Sequence, residues 1–258
     1  MGRKVVADPH WVDTISLYRS GSLASKPMLS SDASSLIDSI SPDEELRKIL
    51  EHRTQELIEY QNLSFAKEYI DFVGNVYKKE KKTRSSSDLT QNVAKYLFKL
   101  MATKDEYEVA RLSLKAELDS AISQEFGKSA KINYMLHPPF LKAMENIPVL
   151  NMLPGVKSKL ALGSWFKVFY VMLKNMKFLR GTPLDFMAWF SSDVRKADKK
   201  ALNHYKSILT KNLDEIGNGK YQDLKEFSVL PDIIRGYEEV RLETMTKYYQ
   251  KSDSLFES

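Results

Sequence analysis

Apolar residues recur three and four positions apart along most of this chain, which predicts amphipathic helices. Leu46, Ile49, Leu50, Leu57, Tyr60, Tyr69, Ile70, Val73 and Tyr77 form one stripe, predicting a helix from Pro42 to about Lys79 with Gly74 as its weak point. Ser41 suits the cap, Pro42 the first helical position, and Glu44 closes a capping box. Val93, Tyr96, Leu97, Leu100 and Met101 predict a second helix, capped by Ser87 or Asp88. Thr103-Lys104-Asp105-Glu106 is a further capping box, which starts a new helix or a kink. That helix carries Tyr107, Val109, Ala110, Leu112, Leu114, Leu118 and Ile122, and stops at Gly127.

Beyond Gly127 the pattern changes. Lys131 to Leu136 alternates in part, predicting a short strand ended by His137-Pro138-Pro139, with Ser158 to Leu162 as its partner. Phe140 to Val156 is apolar and irregular. Trp165 to Leu179 predicts a helix buried on most sides. Thr182-Pro183-Leu184-Asp185 is another capped start, and Gly181 before it can take a positive φ. Arg195 to Ile216 predicts an amphipathic helix ended by Gly217-Asn218-Gly219, and Pro231 starts a last helix to about Lys251. The expected fold is mainly α, a multi-helix domain with a small two-stranded β element.

Residues 1–40 read as a loosely structured N-terminal segment, with one short helix over Asp8 to Tyr18 and a Ser-rich loop from Gly21 to Ser35. Residues 41–252 read as one helical domain. Lys78 to Arg84 followed by Ser85-Ser86-Ser87 reads as a basic, then Ser-rich, linker at a solvated loop tip.

Composition narrows the chemistry. With 258 residues, 43% of them hydrophobic, the chain is long enough to bury a substantial core. It has no cysteine, so thiolate catalysis, zinc–thiolate sites and cysteine-ligated iron–sulfur clusters are excluded for this chain. The start lacks the apolar stretch of a secretory signal, and Val6 stands where an N-myristoylation signal needs Ser or Thr, so the expected location is cytoplasmic. The richest apolar stretch, Trp165 to Leu179, is broken by Lys167, Lys174 and Lys177, so no membrane partner is expected. The net charge of +5 is spread thinly, and the basic run from Lys78 has no interleaved aromatic residue, which disfavours nucleic acid.

Catalytic motifs are missing. His10, His52, His137 and His204 are scattered without metal-ligand spacing, and no phosphate-cradling glycine loop or nucleophile elbow occurs. The one dense polar constellation is Lys99, Lys104, Asp105, Glu106, Tyr107, Glu108 and Arg111. On a helix, Glu108–Arg111, Lys104–Glu108 and Tyr107–Arg111 fall three or four positions apart. The cluster suits either a cap with surface ion pairs or a polar interface. Arg180, in the tight joint Leu179 to Asp185, is placed to satisfy the last carbonyls of the helix before it.

This constellation lies within LFKLMATKDEYEVARL, residues 97–112, which is similar to a signature in the C-terminal helical domain of single-chain indolepyruvate ferredoxin oxidoreductases. Four more segments resemble the same family in order: residues 43–70 (DEELRKILEHRTQELIEYQNLSFAKEYI), 131–141 (KINYMLHPPFL), 179–185 (LRGTPLD) and 230–240 (LPDIIRGYEEV). Two departures stand out. Met135 occupies the place of a histidine in the family's His-Leu-Ala-Pro-Pro run, and Glu238-Glu239 replaces a frequent Gly-His. The shared Lys99, Lys104, Asp105, Glu106, Tyr107, Glu108, Arg111, Arg180 and Arg235 carry over as motif positions and candidate interface residues, without a chemical role.

The resemblance implies a function. Enzymes of that family oxidatively decarboxylate aryl 2-oxoacids with thiamine diphosphate, coenzyme A, iron–sulfur clusters and ferredoxin. This chain has no thiamine-diphosphate signature and no cysteine. The resemblance therefore implies a non-catalytic helical domain or subunit that binds the catalytic domains or subunits and positions or assembles them. The cofactors are implied for that partner polypeptide, and no cofactor-binding, catalytic or metal residue is expected here. The alternative is a free-standing helical scaffold, or an anion-binding protein using Lys78 to Arg84.

Overall fold

The computed structural model of the chain describes residues 29–127, 134–136, 160–185, 187–188, 192–236 and 238–256. The expected helix over Asp8 to Tyr18, the apolar segment Phe140 to Val156 and the His137-Pro138-Pro139 stop lie outside these residues.

Within the described residues the first helix, α1 (Ser31–Asp38), is capped by Ser30, whose hydroxyl accepts from the Ala33 amide. Residues 31–35 are therefore helical, where the sequence reading has a loop. A single side-chain cap and the burial of Ala33 and Ile37 outweigh three serines of modest helix propensity.

The long helix expected from Pro42 is two. Helix α2 spans Glu44–Tyr60 and α3 spans Leu63–Thr83. Its cap is Asp43, whose carboxylate accepts from the Leu46 amide, and Ser41 instead turns the chain at φ 47°. The break falls at Gln61-Asn62, where the Asn62 side chain accepts from the Phe65 amide and restarts the helix. Gly74 sits inside α3, where a Cβ would lie 2.5 Å from the Ile40 side chain. It is a point of close approach, not a weak point. The expected basic linker is in fact the last turn of α3, which continues to Thr83.

Helix α4 (Asp88–Met101) follows a short turn. Ser87 makes no side-chain cap. Its first amides are held by Glu80 of α3, whose fully buried carboxylate accepts from the Leu89 and Thr90 amides, the Thr90 hydroxyl and the Tyr221 hydroxyl. A buried charge needs such a complete set of donors.

Helices α5 (Glu106–Ser113) and α6 (Ala116–Phe126) follow, where the sequence suggests one, and α6 ends at Gly127 with φ 83°. A 3-10 turn (Ser164–Phe166) leads into α7 (Lys167–Asn175), and a second one (Met176–Leu179) leaves it. Helix α8 (Ser192–Asn212), a 3-10 segment (Leu213–Asn218), α9 (Tyr221–Val229), a 3-10 turn holding Pro231 (Leu230–Ile233) and α10 (Glu238–Phe256) complete the order.

The expected small β element is corrected: the architecture is helical. Extended pairing among the described residues is confined to Tyr134–Leu136 against Leu160–Leu162, three residues each and antiparallel. Two strands of three residues form no sheet layer, because an isolated two-stranded pairing is marginal in water even at full hairpin length. Tyr134-Met135-Leu136 also breaks the polar–apolar alternation on which the strand reading rested.

Two buried cores result. The larger draws Leu46, Leu50 and Leu57 of α2, Tyr69, Ile70 and Val73 of α3, and Val93 and Leu97 of α4 against Tyr205 and Leu209 of α8, Phe227 of α9 and Tyr248 of α10. Each buried aliphatic side chain contributes about 1.5–3 kcal/mol. The smaller joins Tyr107 and Ala110 of α5 to Tyr170 and Leu173 of α7, with Phe166 and Met187. The expected burial of Trp165 to Leu179 on most sides is also corrected. Trp165 is 68% and Val168 77% exposed, because this segment turns only the Phe166–Tyr170–Leu173 face to the smaller core.

Candidate functional site

The four-residue turn between α4 and α5 is the hub of the polar residues singled out in the sequence. Asp105 caps α5, accepting from the Glu108 amide at 2.9 Å. The same carboxylate receives two bonds from Arg180, at 2.5 and 2.9 Å. Arg180 also donates to the Tyr60 carbonyl at 2.7 Å and the Gln61 side chain at 2.6 Å, and its guanidinium stacks 3.8 Å from the Tyr60 ring centre. It thus closes the α2–α3 break on the α4–α5 turn. The sequence reading gave Arg180 the last carbonyls of its own helix, whereas its partners lie in other segments.

A second node lies beside the first. Tyr107 donates from its hydroxyl to Asp185 at 2.9 Å. Asp185, 1% exposed, also accepts from the Gly181 and Ala188 amides and from Arg195 at 2.8 Å. Gly181 stands at φ 76°, the left-handed conformation that lets its amide face this carboxylate. Arg195 bridges onward to Glu106 at 2.5 Å. Burial, then the bond to Asp185, pushes the Tyr107 hydroxyl well above the usual phenol range.

Arg111 forms a third node. It is 6% exposed and contacts Glu108 at 2.8 Å, Glu56 at 2.5 Å and Glu59 at 2.6 Å, while Lys115 adds a bond to Glu56 at 2.6 Å. Glu108–Arg111 is the helical pair read from spacing. The other two readings fail. Lys104 precedes α5 and is exposed, and Tyr107 turns to Asp185.

The remaining candidates gather across the α4 C-terminus. Lys99 reaches the Asp232 carbonyl at 3.1 Å and its carboxylate at 3.4 Å, and Arg235 reaches the same carboxylate at 2.5 Å. Burial holds the Lys99 ammonium below its ordinary pKa, against the pull of Asp232.

These nodes wall two cavities. The first, about 390 Å³, is lined by Lys99, Lys104, Asp105, Glu106, Arg195, Asp198, Arg235 and Arg241 among others. The second, about 630 Å³, lies against Tyr60, Phe65, Leu100, Met101, Arg180, Asp185 and Leu202. Thr103, Asp105, Arg195 and Asp198 line both. So Lys99, Lys104, Asp105, Glu106 and Arg235 come together at one cleft, while Glu108 and Arg111 face away into the third node.

Sequence reasoning missed Arg195, Asp198, Asp232 and Arg241. Arg241 binds Asp198 at 2.7 Å from 43 positions away, and no local pattern marks either. Burial raises the Asp198 pKa, opposing the pull of Arg241. The basic run from Lys78 is largely engaged within the fold. Lys79 pairs with Asp214, Lys81 with Asp43, and Arg84 stacks 3.8 Å from the Tyr221 ring centre.

Among the described residues no cluster of three His, Asp or Glu side chains suits a metal ion, and no helix is long and apolar enough to cross a membrane. Fold and site together define an all-helical domain with an ion-paired cleft. Residues 46–254 match the model of a family of unknown function (DUF6537), so the chain belongs to that family. No curated protein and no solved structure matches it.

Proposed function

We propose that this chain is a non-catalytic helical domain or subunit of a thiamine-diphosphate-dependent 2-oxoacid:ferredoxin oxidoreductase of the indolepyruvate type, acting in the assembly or positioning of its catalytic parts. One observation carries the reading. Four of the five segments that resemble that enzyme family meet at a single cleft: Tyr60 from residues 43–70, Asp105 from 97–112, Arg180 from 179–185 and Arg235 from 230–240 line its two cavities. Such segments, dispersed in sequence and joined in space, are expected where a domain meets something outside itself.

The role of the ion pairs is positional. Arg180 ties three segments together, so the cleft is preformed and presents one shape to a partner. The catalytic cofactors belong to the partner polypeptide in this reading, and no chemical step is assigned to this chain.

The test is native capture. The tagged chain is isolated from its source, and captured polypeptides are checked for bound thiamine diphosphate and for the visible absorption of iron–sulfur clusters. Recovery of a polypeptide carrying both supports the reading. A chain that sediments alone from the same extract overturns it.

A further inference from the structure

We infer that the smaller cavity is a binding site for a phosphoryl-bearing small molecule, held by Lys99, Lys104 and Arg235. The charge count points there first. Five cations line the cavity (Lys99, Lys104, Arg195, Arg235 and Arg241) against three carboxylates (Asp105, Glu106 and Asp198). Each of those carboxylates is bonded to an arginine: Asp105 to Arg180, Glu106 to Arg195, which it shares with the buried Asp185, and Asp198 to Arg241.

The remaining cations of the lining are Lys99, Lys104 and Arg235. Lys104 has no ion-pair partner among the described residues and is exposed beside the cavity. Arg235 is 70% exposed and meets Asp232 through Nε and Nη2, which leaves Nη1 without a bond among the described residues. Lys99 is half-buried and donates to the Asp232 carbonyl, so one ammonium sits deeper than the other two groups. Asp232, shared by Lys99 and Arg235, offsets only one of these three charges.

Two ammoniums and a planar guanidinium around a space of about 390 Å³ suit an anion with several oxygens pointing in different directions. A tetrahedral phosphoryl group offers that, while a lone carboxylate would be matched by one arginine fork. Gly236 helps shape the wall. It holds φ 84°, and a Cβ there would lie 2.6 Å from the Val240 side chain, so this position admits no larger residue without a shift. The cavity belongs to the cleft that the assembly role gives to a partner, but binding of a small anion there is tested on this chain without one.

Calorimetric titration of the full chain with inorganic pyrophosphate tests it, with citrate as a carboxylate anion of similar charge. Pyrophosphate is expected to bind, and citrate at least about tenfold more weakly. Lys104→Gln and Arg235→Gln should each weaken pyrophosphate about tenfold, the size of one charge-assisted bond. Lys48→Gln, an exposed lysine on α2 that does not line the cavity, should leave affinity unchanged. Lys104 makes no ion pair among the described residues, so its variant keeps the test valid if Arg235→Gln folds poorly. Absent pyrophosphate binding, equal affinity for citrate, or unchanged affinity in Lys104→Gln would overturn the assignment.

Discussion

The Tyr107 hydroxyl donates to the Asp185 carboxylate at 2.9 Å, inside the protein and across 78 positions of chain. This bond joins the α5 segment to the Gly181–Asp185 joint and places Arg195 between Asp185 and Glu106. Tyr107→Phe removes one of four donors to a buried carboxylate and should cost about 1 kcal/mol. Asp185→Asn removes the charge facing Arg195 and should cost about 3 kcal/mol. Urea unfolding of both variants checks the order. Equal losses would mean that the carboxylate charge is not what organises the joint.

Arg111 sits among Glu56, Glu59 and Glu108, and its removal leaves two buried carboxylates with Lys115 as the remaining cation. Arg111→Met should cost about 3–5 kcal/mol near neutral pH. Burial alone would raise the Glu56 pKa, yet Lys115 and Arg111 bring it below its ordinary value of 4.5. A folded pKa below the unfolded one contributes stability above about pH 4.5, lost as pH falls through the folded value. In Arg111→Met the sign turns, since burial and mutual repulsion then raise the carboxylate pKa values. The stability gap between wild type and variant should therefore narrow from about pH 7 to about pH 5. A constant or wider gap in urea midpoints would contradict the arrangement.

Glu80 caps a helix to which it does not belong. Glu80→Gln turns an amide toward donors that need an acceptor, and should cost about 2–3 kcal/mol. Its effect belongs to α4, so hydrogen exchange of the Leu89 and Thr90 amides should rise first. Unchanged protection there would show that Glu80 is not their cap.

Gly74→Ala pits propensity against contact. Alanine favours a helix interior by about 1 kcal/mol over glycine. Its Cβ would stand 2.5 Å from Ile40 Cγ2, so in wild type the substitution should destabilise. In an Ile40→Ala background the same change should stabilise, and a double-mutant cycle of thermal midpoints reads the reversal. The same sign in both backgrounds would mean that α1 shifts freely and Ile40 does not press on α3.

Local patterns carried local features well. The Gly127 stop, the positive φ of Gly181 and the Glu108–Arg111 pair all follow from residues within four positions, whereas the capping box read from Thr103 gives way to a cap by Asp105. The break at Gln61-Asn62 was hidden because apolar spacing continues through it, and only the Asn62 cap marks it. Trp165 and Val168 are hydrophobic yet exposed, so composition misjudged their burial. The cleft itself was half legible. Its residues stood out as a charged cluster, but Asp105–Arg180 spans 75 positions and Lys99–Asp232 spans 133, beyond any periodicity.

The assembly role is tested most directly by immunodepletion. An antibody to this chain is used to clear native extract of its source, and aryl 2-oxoacid- and coenzyme A-dependent ferredoxin reduction is assayed in supernatant and pellet. The activity should leave the supernatant with the chain and reappear in the pellet. Full activity in a supernatant free of the chain would refute the assembly role.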